Sequence, residues 1–391
     1  MSDSNKTRTR RSQVPEKIQS LRLVRRTVLA WLAFLFTFAS LQGTEMFADD
    51  EIVLFYPSCG HLADNAWNIE LRYWVYEDRS WTQAAVSQLA TGLGELKESE
   101  LKHFEERARH FLADSESREV VTFQFDQDPK QETWQLKSDA GAVIKTDGNG
   151  LATGIIRLTQ ERADEIRRSQ KSSDGWLTFR ATSTDHKGAG RVRLIPPEGI
   201  SIISDIDDTL KITEITAGGE VVFRNTFLKK FHPATELRSV FDRYPDAPVH
   251  YVSGGPWQMY DPLQQFLHSK ESAWPEGTFH MRTLRKNLLT TGSWKDFANM
   301  LLDEDGTLDH KVAEISHLME RYPKRKFVLL GDSGEKDPEV YRTILEKYPE
   351  RIVQVLIRDV TNDRQLRPER LKGMTAIEAP TVIPGKSQIP E

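Results

Sequence analysis

The sequence predicts an α/β protein in two parts. A β-rich, sandwich-like domain with a helical insert spans residues 49–197, and a parallel-sheet domain spans residues 198–365. Three observations carry this reading. From Glu198 to Asp359 apolar strand signals alternate with helical ones, the pattern of parallel strands joined by right-handed crossovers. From Asp49 to Pro197 strand signals follow one another around a helical stretch. The third is the run Ile200-Ser-Ile-Ile-Ser-Asp-Ile-Asp-Asp-Thr-Leu210, an apolar strand that stops at three carboxylates, Asp205, Asp207 and Asp208.

The chain has 391 residues, enough for two or three domains, and its 28% charged and 38% hydrophobic content is that of a soluble protein. The net charge of −5 is unevenly spread: residues 1–26 hold eight Lys/Arg against two Asp/Glu, so +6, and the rest carries −11. An acidic body without a basic stripe excludes a nucleic-acid binder and gives no general attraction to anionic lipid. Residues 1–48 read as a signal peptide or N-terminal membrane anchor, because a basic region precedes a charge-free stretch of 18 residues from Thr27 to Thr44. The expectation is an exported protein, periplasmic or extracytoplasmic, or one anchored by residues 27–44. Cys59 is the single cysteine, so no internal disulfide forms, and a small buried side chain is its expected role.

In the β-rich part, Glu51–Tyr56 and Trp67–Tyr76 read as strands, the second alternating. Thr82–Gly92 and Glu98–Leu112 read as helices, the latter amphipathic through Leu101, Phe104, Ala108 and Phe111. Strand signals return at Glu119–Phe125, Thr133–Leu136, Gly154–Leu158, Trp176–Ala181 and Gly190–Leu194. Asp147-Gly-Asn-Gly150 marks a tight turn, and Pro196-Pro197 closes the segment.

In the second part, Glu220–Phe227 suggests a hairpin or flap. Ala234–Phe241, Pro256–His268, His310–Arg321 and Pro338–Lys347 read as helices. Pro248–Ser253, Lys326–Leu330 and Ile352–Ile357 read as strands. Residues 366–391, proline-bearing and poor in apolar groups from Ala379 onward, are expected to form a disordered tail.

Side chains two apart on an extended backbone share a face, so Asp205 and Asp207 converge beyond the carboxyl end of their strand. Paired ionised carboxylates repel unless a cation sits between them, and a hard cation such as Mg²⁺ accepts oxygen ligands. The carboxyl ends of strands in open α/β sheets are also where ligands bind. Three further strands end in polar or glycine-rich segments. Ser253-Gly254-Gly255-Pro256 offers a hydroxyl and free amides for a phosphate, or forms a plain strand-to-helix turn. In Gly331-Asp-Ser-Gly-Glu-Lys-Asp337, Asp332 is placed as a ligand from a second strand, and Asp337 serves as ligand or as N-cap of the next helix. Ile357-Arg358-Asp359 ends the fourth. Lys311 gains meaning from these acids, since a phosphoryl site needs a cation.

Asp205-Ile-Asp207-Asp208-Thr209-Leu210 resembles motif I of the haloacid dehalogenase superfamily, with Ser253, Lys311 and the Asp332 to Asp337 segment matching its later motifs. More closely, Ser204–Thr209, Tyr251–Trp257 and Leu330–Tyr341 resemble the catalytic domain of the actin-patch phosphatidate phosphatase family, over roughly residues 198–360. The resemblance implies a Rossmann-like fold for this part and a Mg²⁺-dependent hydrolysis of phosphatidate to diacylglycerol through an aspartyl-phosphate. It casts Asp205 as nucleophile and Asp207 as general acid and base. Ser253, Gly254 and Lys311 would hold the phosphate, with the metal at Asp205, Asp207 (through its carbonyl), Asp332 and Asp337. The expected partner is a phosphorylated lipid, with membrane contact. The other readings are a phosphomonoesterase for a soluble or protein-bound phosphate, and an envelope binding protein with a vestigial phosphatase domain.

Overall fold

The computed structural model describes residues 51–77, 96–138, 140–283 and 304–389. The charge-free stretch 27–44 and the helix expected over 82–92 lie outside them. Among the described residues no helix is long and apolar enough to cross a membrane.

Two sheets organise the chain. The first has ten strands in mixed, mainly antiparallel pairing. They are β1 (Glu51–Tyr56), β2 (Ser58–Ala63), β3 (Ala66–Glu77), β4 (Asp114–Ser115), β5 (Phe123–Phe125), β6 (Thr133–Trp134), β7 (Leu151–Thr159), β8 (Trp176–Ala181), β9 (His186–Lys187) and β10 (Ala189–Ile195). Their hydrogen-bonded order is β6-β5-β8-β10-β2-β3-β1-β9, with β4 and β7 also pairing β3. β3 is the hub because its twelve residues alternate strictly over most of their length. Trp67, Ile69, Leu71 and Tyr73 are buried with Phe55, Phe123, Phe179 and Leu158 in one apolar cluster. Each such fully buried side chain contributes roughly 1.5–3 kcal/mol. The turn expected at Asp147–Gly150 feeds β7. Gly150 is required there, since its φ is +70° and a Cβ would stand 2.4 Å from the Val75 carbonyl oxygen.

The second sheet is wholly parallel, with strands β11 (Glu198–Ser204), β12 (Val249–Pro256), β13 (Gly277–Arg282), β14 (Lys324–Asp332), β15 (Ile352–Asp359) and β16 (Thr375–Glu378). Their order is β13-β12-β11-β14-β15-β16. β11 lies centrally, with Ile202 and Ile203 completely buried on opposite faces. This double burial explains its uninterrupted apolar run. Ile202 joins a cluster that also takes in Tyr56, Trp74 and Tyr76 of the first sheet and Phe104 and Phe111 of the helix Glu98–Leu112. The two sheets therefore share one apolar core. Cys59 is buried in the cluster on the other face.

The structure departs from the expected elements in several places. β2, β4, β9 and β16 are strands that were not expected, and the helix expected at Ala234–Phe241 is confined to Arg238–Arg243. Residues 220–227 form no hairpin: they are a helical turn, Gly219–Phe223, running into a wider turn, Arg224–Leu228, whose Phe223 and Phe227 stack 5.2 Å apart. Phe223 and Phe227, four apart, share a helical face that packs on the core. A helix at Gln160–Ser169 and the strand β13 were not expected, both being short segments whose type is decided by their neighbours. The tail is ordered through Ile389. β16 pairs along the open edge of β15, Gln388 N–H donates to Glu214 at 2.6 Å, and the Ile389 side chain is buried. Its composition is indeed poor, but an exposed sheet edge supplies backbone partners whatever the side chains are.

Candidate active site

The neighbouring strands β12, β11 and β14 end side by side, and the residues that follow them build the site. Asp205 leaves β11 with its N–H donating to Leu330 of β14 at 2.9 Å, so the strand geometry continues to the carboxylate. Asp332 ends β14 completely buried. Its Oδ1 accepts N–H groups from Gly334 at 2.6 Å and Glu335 at 3.1 Å, which folds the loop back and brings Glu335 over the strand ends. Carboxylate oxygens of Asp205, Asp332 and Glu335 then lie within 4.8 Å of one another.

Lys311 enters from the helix Glu304–Arg321 with its side chain 2% exposed. Its Nζ donates to Asp205 Oδ1 at 2.8 Å, Asp337 Oδ1 at 2.6 Å and Glu335 Oε2 at 3.2 Å. Burial pulls the ammonium towards neutrality, yet Asp205, Asp337 and Glu335 outweigh it and hold Lys311 charged. One ammonium thus faces four carboxylates when Asp332 is included. Burial first, and then the neighbouring acids, push Asp332 well above the usual carboxylate range. Asp205 Oδ2 and Asp332 Oδ2 are buried with no hydrogen-bond partner among the described residues. Two orphan oxygens in an all-oxygen donor set with excess negative charge fit a hard divalent cation held by Asp205, Asp332 and Glu335.

Asp337 stands outside that group. It begins the helix Asp337–Lys347, but its side chain caps nothing: Oδ1 takes Lys311 and Oδ2 accepts the Asp332 N–H at 3.2 Å. It therefore positions Lys311 and Asp332. Gly331 is needed beneath it, because a Cβ there would meet Asp337 Oδ2 at 2.5 Å.

Asp207 turns to a different cation. Its Oδ1 lies 2.7 Å from the Lys211 ammonium and accepts from the Thr213 hydroxyl at 2.6 Å. Burial raises its carboxyl, but Lys211 and these hydrogen bonds prevail and hold it below the ordinary range. Its side chain is 21% exposed, so it is reachable from solvent. Asp208 is structural: at φ 53° its carboxylate accepts the N–H groups of Thr213, Glu214 and Ile215 and clamps the following loop. Arg358, near the end of β15, donates to the Asp208 carbonyl at 3.0 Å and to Glu236 at 3.0 Å, which makes it a brace for the same loop.

Ser253 is buried at the end of β12, and its Oγ accepts the Gly255 N–H at 3.0 Å. The strand runs on through Pro256, and a single 3₁₀ turn, Trp257–Met259, precedes the helix Tyr260–Leu267. Gly254 and Gly255 accordingly lie in an irregular strand end rather than in a first helical turn. A Cβ on Gly254 would stand 2.7 Å from the Thr307 methyl, so glycine lets this strand end press against the Lys311 helix.

Sequence reasoning missed Glu335 and Lys211. Glu335 was visible in the Asp332 to Asp337 segment, but only the loop fold set by Asp332 brings it back. Lys211 follows the acidic motif directly, and nothing in a lone lysine announces that it is buried with Asp207.

Residues 200–359 match the sequence model of the family described as phosphatidate phosphatase APP1, catalytic domain. Phosphatidate phosphatase APP1 of Saccharomyces cerevisiae is 30% identical over 179 residues, covering 43% of this chain and 27% of the yeast protein. A protein of Schizosaccharomyces pombe described as uncharacterized is 26% identical over 296 residues, covering 73% of this chain and 45% of its own length. The chain thus spans less than half the length of these curated relatives. A solved carbohydrate esterase structure aligns at 10% identity and a TM-score of 0.21, over 78% of this chain and 87% of its own, which carries no argument.

Proposed function

We propose, from the match of residues 200–359 to the family model described as phosphatidate phosphatase APP1, catalytic domain, that this chain is a Mg²⁺-dependent phosphatase acting on phosphatidate. The observation that carries the reading is the pair of partnerless oxygens on Asp205 and Asp332, brought together from adjacent strands beside Lys311. Asp205, Asp332 and Glu335 would hold the metal, which when bound neutralises charge on the phosphoryl oxygens.

In the proposed reaction Asp205 attacks phosphorus, forming an aspartyl-phosphate and releasing diacylglycerol, and water then cleaves the acyl phosphate. Lys311 orients the nucleophile and offsets charge on the transferred group. Asp207 suits the base step as it stands, because Lys211 and Thr213 keep it ionised. The approaching phosphate dianion raises its proton affinity, which equips the same carboxyl to protonate the leaving alcohol. Ser253 and Gly254, at the neighbouring strand end, are assigned to the phosphoryl oxygens.

We further assign residues 49–197 as an accessory domain and 198–365 as a Rossmann-like catalytic domain of the haloacid dehalogenase type. Residues 27–44 direct export or anchor the protein, bringing the site to a membrane face. The test compares turnover of phosphatidate in mixed micelles with that of water-soluble monoesters, with and without Mg²⁺. Preference for the micellar lipid, lost on chelation and in Asp205→Asn, supports the reading. Equal or better use of soluble esters would make it a general phosphomonoesterase, and no Mg²⁺-dependent release from either would remove the enzymatic reading.

A further inference from the structure

A second cluster of metal-ligating side chains lies at the edge of the mixed sheet. Glu51 opens β1, His186 opens β9, and the two residues are partners in a parallel pairing. Glu119 comes from the segment before β5. One ligand atom from each falls within 4.8 Å of the other two. The His186 side chain is 5% exposed, and its Nε2 lies 2.9 Å from Glu51 Oε2 and 3.8 Å from Glu119 Oε2. Among the described residues neither His186 Nε2 nor Glu51 Oε2 has a hydrogen-bond partner, so the 2.9 Å approach is too poorly aligned to serve as one. The other ring nitrogen, Nδ1, contacts the Ser183 hydroxyl at 2.8 Å. The imidazole is therefore anchored on one side and turns its second nitrogen, buried, towards two carboxylates.

The surroundings add negative charge. Burial and then Glu119, Glu77 and Asp185 raise the Glu51 carboxyl to about 6. Burial and then Glu77, Asp114, Glu51 and Glu119 raise Glu116 to about 7. Burial also holds the His186 imidazole below its ordinary range despite Glu119 and Asp185, which leaves a neutral ring with a lone pair to offer.

We propose that Glu51, Glu119 and His186 form a second metal site, distinct from the acidic site on the parallel sheet, that takes a zinc-class divalent ion. One imidazole and two carboxylates are a donor set that zinc accepts, commonly with water as the fourth ligand. Tetrahedral zinc bonds place ligand atoms about 3.4 Å apart, between the 2.9 and 3.8 Å found around His186 Nε2. The Ser183 contact holds the ring orientation, as hydrogen bonds to ligating histidines do. The ion would clip the β1–β9 edge to the segment carrying Glu119, with its open position beside that partly exposed residue.

The test uses the full-length protein, stripped of metal and titrated with zinc chloride by calorimetry in excess Mg²⁺. The wild type takes up one zinc equivalent at this site, and zinc raises its melting temperature. Glu119→Gln and His186→Gln each weaken that binding at least tenfold, whereas Asp332→Asn leaves it unchanged. Glu119 reaches solvent, so the Gln variant retains the fold by circular dichroism and decides the question even where His186→Gln does not fold. Absence of zinc uptake in excess Mg²⁺, or uptake unaltered by Glu119→Gln, overturns the proposal.

Discussion

Asp128 in the β-rich part and Asp332 in the parallel sheet are both buried carboxylates, and the chain treats them in opposite ways. Both oxygens of Asp128 are occupied: the Lys130 and Glu132 N–H groups donate at 3.0 Å each, and Arg162 clasps the pair. Arg162 continues to Glu132 at 3.2 Å and Glu165 at 2.9 Å. Burial raises the Asp128 carboxyl, but Arg162 and the amides overcome it and hold it low. Among the described residues Asp332 receives two amides on one oxygen, nothing on the other and no cation of its own. A buried charge neutralised within the chain stabilises architecture. A buried charge left open needs something from outside, and that is where chemistry is to be sought.

The comparison breaks first at Asp205. Asp205→Asn should lower turnover by about 10⁴-fold or more, since it removes a nucleophile rather than a contact, while circular dichroism stays that of the wild type. Residual turnover near the wild-type rate would make Asp205 another Asp128. Asp332→Asn should cost about 10²–10³-fold, as loss of one strongly placed electrostatic group does, and should raise the Mg²⁺ concentration at half-maximal rate. The melting temperature of this variant should rise, because a buried carboxyl disfavoured by burial and by its acidic neighbours has been removed. On the other side, Arg162→Ala should leave the specific activity of folded protein intact but cost about 3 kcal/mol in denaturant unfolding, because Asp128 becomes an uncompensated buried charge.

A smaller effect lies at His310, next to Lys311. Burial and then the opposing influence of Glu314 leave its imidazole at about 4, and its Nε2 has no hydrogen-bond partner among the described residues. An unfolded histidine titrates near 6.5. Between these values the unfolded chain binds more protons than the folded one, so stability falls as pH drops through that window. The loss should reach on the order of 2–3 kcal/mol, and His310→Gln should flatten the slope measured by urea unfolding between pH 7 and about 4.

Much of the site was legible because its residues sit where periodic patterns stop. Asp205 and Asp332 each end an apolar strand, Ser253 ends the regular part of another, and Asp208 could be set apart as a turn residue from its type and neighbours. Lys211 and Glu335 were not legible, since their importance is their placement beside other charges, and the way a loop folds back has no period. Asp337 shows the same limit. The Asp-Pro pair reads as a helix start, and the helix does start there, yet the carboxylate serves Lys311 and the Asp332 amide instead of the helix. The tail failed for a related reason, because composition reports what a segment can bury and not which sheet edge is waiting for it.

Local sequence determined the alternation of strands and helices, the parallel character of the second sheet, and the acids at strand ends, since each is written in neighbouring side chains. Only the tertiary structure decided which carboxylates share Lys311, which keep an oxygen free, and that Glu51, Glu119 and His186 meet. Those outcomes depend on distances between segments far apart in the chain, and long-range packing alone sets them.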